Sequence, residues 1–150
     1  MPGEEVRKMR SKRGFTLVEI MIVVAIIVLL AAIAIPNLLR ARLAANEATA
    51  IAAMRTISTA MESYRAAQSP PAYPATLTAL TMPASNPPYI DTVLGGGAKG
   101  GYDFTPAGGG NVYSVTATPQ TPNVTGVRDF FVDQSGVVRV GLDSTGTPIE

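Results

Sequence analysis

The side chains in this sequence able to do chemistry are few, and their types narrow the field at once. Among 150 residues there is no cysteine and no histidine. Thiolate chemistry and disulfides are therefore excluded, and the commonest general base and nitrogen metal ligand are missing. Lys99 is the only lysine beyond Lys12. Carboxylates remain, but Asp129, Asp133 and Asp143 do not follow the D-x-[DN]-x-[DN]-G calcium loop; they read as turn and strand-edge residues, and no metal or other cofactor is expected. Gly95-Gly96-Gly97-Ala98-Lys99-Gly100 satisfies G-x-G-x-x-G. No strand is expected before it and no helix after it, so it reads as a flexible loop rather than a phosphate cradle. Asn123-Val124-Thr125 fits the short, common N-x-[ST] acceptor pattern. One carboxylate stands apart from all of these. Glu19 lies inside an apolar run.

The run that must position Glu19 extends from Phe15 to Ile35, 21 residues in which it is the single charge. As a helix this run is roughly 31 Å long, about the hydrocarbon thickness of a bilayer. Before it come Arg7, Lys8, Arg10, Lys12 and Arg13 against Glu4 and Glu5. Positive charge beside an apolar helix keeps that end in the cytoplasm and sends the carboxy-terminal part across the membrane. The formal net charge of the chain is only +1, which gives no case for a nucleic-acid partner.

Three fates of such a segment are open. An ordinary signal peptide would be cut after the small-x-small site Ala32-Ile33-Ala34. Against this stand the long apolar region, the carboxylate inside it and a helical pattern that continues beyond the site. An unprocessed membrane anchor is the second. The third is a cut before the apolar run. Arg13-Gly14-Phe15-Thr16-Leu17-Val18-Glu19-Ile20 resembles the prepilin cleavage and methylation motif of type IV pilins and their relatives, and the likeness runs through Pro36 to about Leu43. The resemblance implies cleavage between Gly14 and Phe15 by a prepilin peptidase, N-methylation of Phe15, and pairing of Glu19 with the Phe15 amine of a neighbouring subunit during assembly. Glycine at the cut leaves the scissile bond sterically open. A carboxylate is costly in lipid unless it finds a partner, and such a pair would also fix register. The plainer alternative is that Glu19 reaches up to the membrane interface.

Beyond the apolar run, Pro36 removes one backbone donor and predicts a kink rather than an end. Asn37 to Ala67 has no glycine or proline and is rich in helix formers. Leu43, Ala50, Met54, Ile57, Met61 and Tyr64 recur on one face, with Glu47, Thr49, Arg55, Thr59 and Glu62 placed on the opposite, exposed side. Ser69-Pro70-Pro71 ends the helix. All but four of the 14 glycines and 12 prolines follow Gln68, so the remainder reads as a loop-rich head. Pro70 to Gly110 reads as a long connection with a turn of helix near Tyr73 to Leu80 and a short extended piece at Gly101 to Phe104. Val112 to Ala117 alternates as a strand with Tyr113, Val115 and Ala117 on one face. Val127 to Val132 and Val137 to Leu142 flank the turn cluster Asp133 to Gly136 and predict a hairpin, with Val138, Val140 and Leu142 facing one way. The expected organisation is a leader over 1–14, a helix over 15–68 and a head over 69–150. The helix would be apolar over 15–35 and amphipathic over 36–68. The expected fold class is α+β, a long helix packed on a small antiparallel sheet of three or four strands, like a type IV pilin.

The function this reading implies is a non-enzymatic, filament-forming homo-oligomer, a pilin serving attachment, twitching motility or DNA uptake. The runner-up is a pseudopilin of a type II secretion system. The major pseudopilins usually carry a Pro-Trp-Gly segment beside a calcium loop, and this chain has no tryptophan. A membrane-tethered binding module or enzyme is a distant third. The resemblance also implies an inner-membrane assembly platform with a cytoplasmic ATPase, and a subunit held in the bacterial inner membrane before it joins an extracellular pilus or periplasmic pseudopilus.

Overall fold

In a computed structural model, residues 14–81 and 87–149 are described. Residues 1–13, which hold all but Gly14 of the expected leader, lie outside that range. The chain divides after Asn37 into two compact units.

The first unit is helical. It holds the start of α1, the helix Leu17–Ala67, which remains one element through Pro36. Its apolar side chains have no cover of their own. Phe15 is 79% exposed and Val23, at 47%, is the least exposed of the large apolar residues between Phe15 and Leu39.

The second unit, from Leu38 onward, joins the rest of α1 to a six-stranded sheet. Two short helices, α2 (Thr78–Thr81) and α3 (Thr92–Gly95), lead into β1 (Ala98–Lys99), β2 (Tyr102–Gly109), β3 (Val112–Pro119), β4 (Phe130–Asp133), β5 (Arg139–Val140) and β6 (Thr147–Pro148). The sheet order follows the chain order, every pair antiparallel. The architecture is the expected α+β arrangement of a long helix on a small antiparallel sheet.

The core forms where one face of α1 meets one face of the sheet. Ala50, Met54, Ile57 and Met61 are fully buried, spaced at helical intervals of seven, four, three and four from Leu43 onward. Tyr113, Val115 and Ala117 alternate inward from β3, as their pattern predicts, and Tyr102, Phe104, Phe130 and Val132 join them. Ala50, Ala53 and Ala60 on the buried helix face are small enough to let the sheet's aromatic rings approach the helix backbone. The rings also satisfy their hydroxyls. Tyr113 donates to Ser58 Oγ at 3.0 Å, Tyr73 to Glu62 Oε1 at 2.6 Å and Tyr102 to the Arg128 carbonyl at 2.9 Å.

Several sequence expectations are corrected here. The sheet has six strands, not three or four, and β2 runs eight residues through Pro106 and two glycines, where only Gly101 to Phe104 read as extended. Its ladder partner β3 supplies the pattern that β2 lacks, pairing Tyr102 with Pro119 through Gly109 with Val112. Residues 95–100 are not one flexible loop: Gly95 ends α3, Gly96 and Gly97 form a turn, and Ala98 and Lys99 are the strand β1. The second strand starts at Phe130 rather than Val127, which is 59% exposed. The hairpin of β4 with β5 forms around the expected turn, yet β5 is two residues long and Leu142 is 57% exposed.

Candidate functional site

The residues singled out by sequence gather at the start of α1. Gly14 has open space where a side chain would stand, with no atom within 4 Å, and its φ is not left-handed. Nothing in its own fold therefore calls for glycine at this position. Thr16, which sequence reasoning passed over, caps the helix. Its hydroxyl accepts from the Glu19 amide at 3.2 Å, and its carbonyl accepts from the Ile20 amide at 3.3 Å. Thr16-x-x-Glu19 is the sequence signature of a capping box, a signal that was there to be read. It starts the helix two residues after the Gly14–Phe15 bond. Glu19 is the acidic residue of the first turn, where the helix dipole favours negative charge. Phe15 and Glu19 are one turn apart.

Pro36 lies inside α1. Having no N–H, it leaves the carbonyl one turn back, that of Ala32, without its helical donor. The division between the two units falls one residue later. Between Phe15 and this point the helix has a mean hydropathy of 3.2 in its most apolar window, none of it buried within the chain. Such a surface is unstable in water and needs lipid or other protein around it.

The other candidates do not assemble. Among the described residues no three acidic side chains come close enough to hold a metal ion, and Asp133 and Asp143 each cap a local turn, accepting from the Ser135 and Thr145 amides. The glycine run follows a helix and enters a strand, the reverse of a phosphate loop. The Gly96 and Gly97 amides are already spent on the Thr92 and Leu94 carbonyls. A groove of about 350 Å³ beside Tyr89 is lined by Thr56, Thr59 and Ser63, but each of these hydroxyls donates to a carbonyl one turn back. Asn123 is exposed, with a left-handed φ of 63° in the loop between β3 and β4.

That loop contains the polar centre that sequence reasoning placed wrongly. Glu47 is not on the exposed side of α1; it is 8% exposed. It accepts from the Val127 and Arg128 amides at 3.1 and 3.3 Å and from the Arg128 guanidinium at 2.8 and 2.7 Å. Burial alone would raise its carboxyl, but these hydrogen bonds together outweigh burial and hold it below its ordinary value. Glu47 stands four residues after Leu43 and seven before Met54, on the apolar stripe itself, and that spacing was the overlooked signal. Next to it, Asn46 Nδ2 donates to the Thr125 carbonyl at 2.8 Å. Gly126 passes so close to Tyr102 that a methyl group there would lie 2.0 Å from the phenol oxygen. The β3–β4 loop is thus lashed to the helix at residues 46 and 47.

Comparison with known proteins bears on the first of these two centres. The family described as the prokaryotic N-terminal methylation motif matches residues 9–35. The chain is 47% identical over 57 residues to the type IV wide pilus major component of Thermus thermophilus, covering 38% of this chain and 44% of that protein. It is 37% identical over 84 residues to the type II secretion system core protein G of Vibrio cholerae, covering 54% and 56%. To the type IV major pilin protein PilA of Myxococcus xanthus it is 48% identical over 52 residues, covering 35% and 24%. The chain thus matches about half the length of the first two relatives and a quarter of the third. No solved structure matches significantly. The motif that ends in a capped apolar helix is thus similar to that of type IV pilins and of a type II secretion core protein, and a long helix on a small antiparallel sheet is consistent with the pilin fold.

Proposed function

We propose that this chain is the structural subunit of a type IV pilus-like filament, assembled through the first half of α1. The observation that carries the proposal is the uncovered apolar helix that begins beside Gly14–Phe15 and continues unbroken into the core of the head. A filament in which many such halves pack together gives that surface the cover it lacks, at around 25 cal/mol per Å² removed from water. Cleavage after Gly14 frees Phe15, whose methylated amine then stands one turn before its own Glu19 and can meet Glu19 of the next subunit. The processing enzyme is a prepilin peptidase. Before assembly the subunit sits in the bacterial inner membrane with residues 1–14 cytoplasmic and the head outside, where a platform with a cytoplasmic ATPase collects it. The chain has no catalytic role in this reading.

A pseudopilin of a type II secretion system is the second reading. One observation favours it: the likeness to core protein G covers 54% of the chain, more than leader and helix together, and so extends into the head. The intact mass and amino-terminal sequence of protein sheared from cells, compared with the membrane fraction, test both. A chain beginning at methylated Phe15 in the sheared fraction supports the pilus. The same chain confined to membranes supports the pseudopilus, and a start at Ile35 or an intact Met1 overturns both.

A further inference from the structure

Of the exposed large apolar side chains of the head, Val93, Val112, Val124, Val127 and Leu142, two lie close together in one loop. Val124 is 65% exposed and Val127 59%, although the loop that carries them is fixed rather than free. Asn46 holds the carbonyl of Thr125 and Glu47 holds the amide of Val127. The two valines are therefore presented at the height of residues 46 and 47 of α1, at the end of the head where its own part of the helix begins. Arg40 is seven residues before Glu47, two turns down the same face and about 10 Å away along the axis. Arg40 and Arg42 are exposed, and among the described residues neither has a carboxylate within 4 Å. They directly follow Leu39, the last of the exposed large apolar side chains of that helix.

We propose that this end of the head is a docking surface for the lipid headgroups of the membrane in which the subunit waits, with Arg40 and Arg42 on the phosphates and Val124 and Val127 pressed into the interface. The dimensions fit. With Leu39 at the hydrocarbon boundary, the two arginines fall within the headgroup layer, which is about 5 to 8 Å deep on each side, and the loop, tied at residues 46 and 47, stands about 10 to 12 Å above Leu39, just beyond that layer when the helix is upright. Phe15 to Leu39 is longer than the hydrocarbon is thick, and the tilt that relieves such an excess brings one side of the rim down onto the surface. Two arginines facing phosphates and two valines in the interface are the mixed polar and apolar surface that settles on a membrane without crossing it. Docking would hold the head in one orientation before assembly and release it when the helix leaves the bilayer. The inference rests on the membrane-inserted state proposed above, not on the filament itself.

The absence of cysteine makes the test direct. The full processed chain, carrying one introduced cysteine at Val124, Val127 or the exposed Asn111, is labelled with a fluorophore. It is then reconstituted in vesicles of phosphatidylethanolamine and phosphatidylglycerol containing a headgroup-spin-labelled lipid. Labels at 124 and 127 are expected to be quenched several times more strongly than the label at 111. Arg40→Gln should lower the docked-to-free ratio read at 127 about fivefold, the equivalent of one arginine near a lipid surface. Near-UV dichroism of the tyrosines checks that the head stays folded. Equal quenching at all three positions overturns the proposal, and so does quenching that ignores Arg40→Gln. Labels free in vesicles but shielded in sheared filaments would assign the surface to a second copy of the chain instead. Docking in vesicles by a chain that forms no filament would refute the filament reading alone.

Discussion

Glu47→Ala is the sharpest test of how the head is held to the helix. The carboxylate, with its side chain 11% exposed, takes two backbone amides and both ends of the Arg128 fork. Alanine leaves the two part-buried amides without an acceptor, at about 1 kcal/mol each. The guanidinium is 51% exposed and recovers water, so its lost ion pair adds only about 0.5 kcal/mol. The expected loss is about 2 to 3 kcal/mol. Glu47→Gln keeps a carbonyl oxygen for the amides but turns the wrong group toward Arg128, and should cost about 1 kcal/mol. Urea unfolding of the full chain in detergent micelles, followed by the near-UV signal of the tyrosines, gives both values. Hydrogen exchange at the Val127 and Arg128 amides shows whether the loss begins in the loop. If both variants stay within about 0.5 kcal/mol of the parent, a resolution that mutant comparisons allow, the loop is held by something else and the reasoning fails.

The same carboxylate sets a pH dependence. Its folded-state value lies below the ordinary 4.5, so its contribution is fully present above the ordinary range and is lost as pH falls through the folded value. Glu47→Gln should show a shallower acid loss than the parent, and identical acid slopes would refute the assignment. Gly126→Ala forces a methyl group into the Tyr102 ring and should cost about 1 to 3 kcal/mol by urea unfolding; a neutral result would mean that the loop simply moves aside. Glu19→Ala should leave processing intact, judged by mass, while abolishing sheared filaments, and normal filaments from it would remove the proposed Glu19–Phe15 pairing. Gly14→Val meets open space in the chain's own fold, so it should block cleavage without changing the near-UV spectrum of the head. Cleavage at the parental rate would detach Gly14 from processing.

What could be read from sequence was whatever a single element dictates by itself. The apolar run, the alternation of Tyr113, Val115 and Ala117 and the turn at Asp133 to Gly136 are local patterns, and each leaves its mark within a few residues. The features missed depend on a partner distant in the chain. β2 has glycines and a proline where a strand should have branched or aromatic residues, and it is extended because β3 provides a full ladder beside it. Glu47 looks like a surface residue until Arg128, 81 positions later, is brought to it. At the start of α1 the motif was legible, whereas the cap at Thr16 engages the Glu19 amide, a backbone group that charge and hydropathy patterns do not mark.

The division of α1 explains why one helix can serve two environments. In its second half the buried face includes Ala50, Ala53, Ala60, Ser58 and Glu47, small or polar residues that admit a sheet and bond to it. A bilayer asks for none of these. In the first half large branched side chains surround the helix on every side, which suits a medium with no preferred direction. Glu19 is the one residue there that asks for a specific partner, and it is placed in the first turn, where the amine exposed by cleavage at Gly14 would lie. In the proposed filament, orientation of the apolar half would depend on the one Glu19–Phe15 pair, whereas orientation in the head depends on a whole face of contacts. Loss of Glu19 should accordingly leave a folded, membrane-bound subunit that cannot find its place beside another, while loss of Glu47 should loosen the head of a subunit whose apolar half is unchanged.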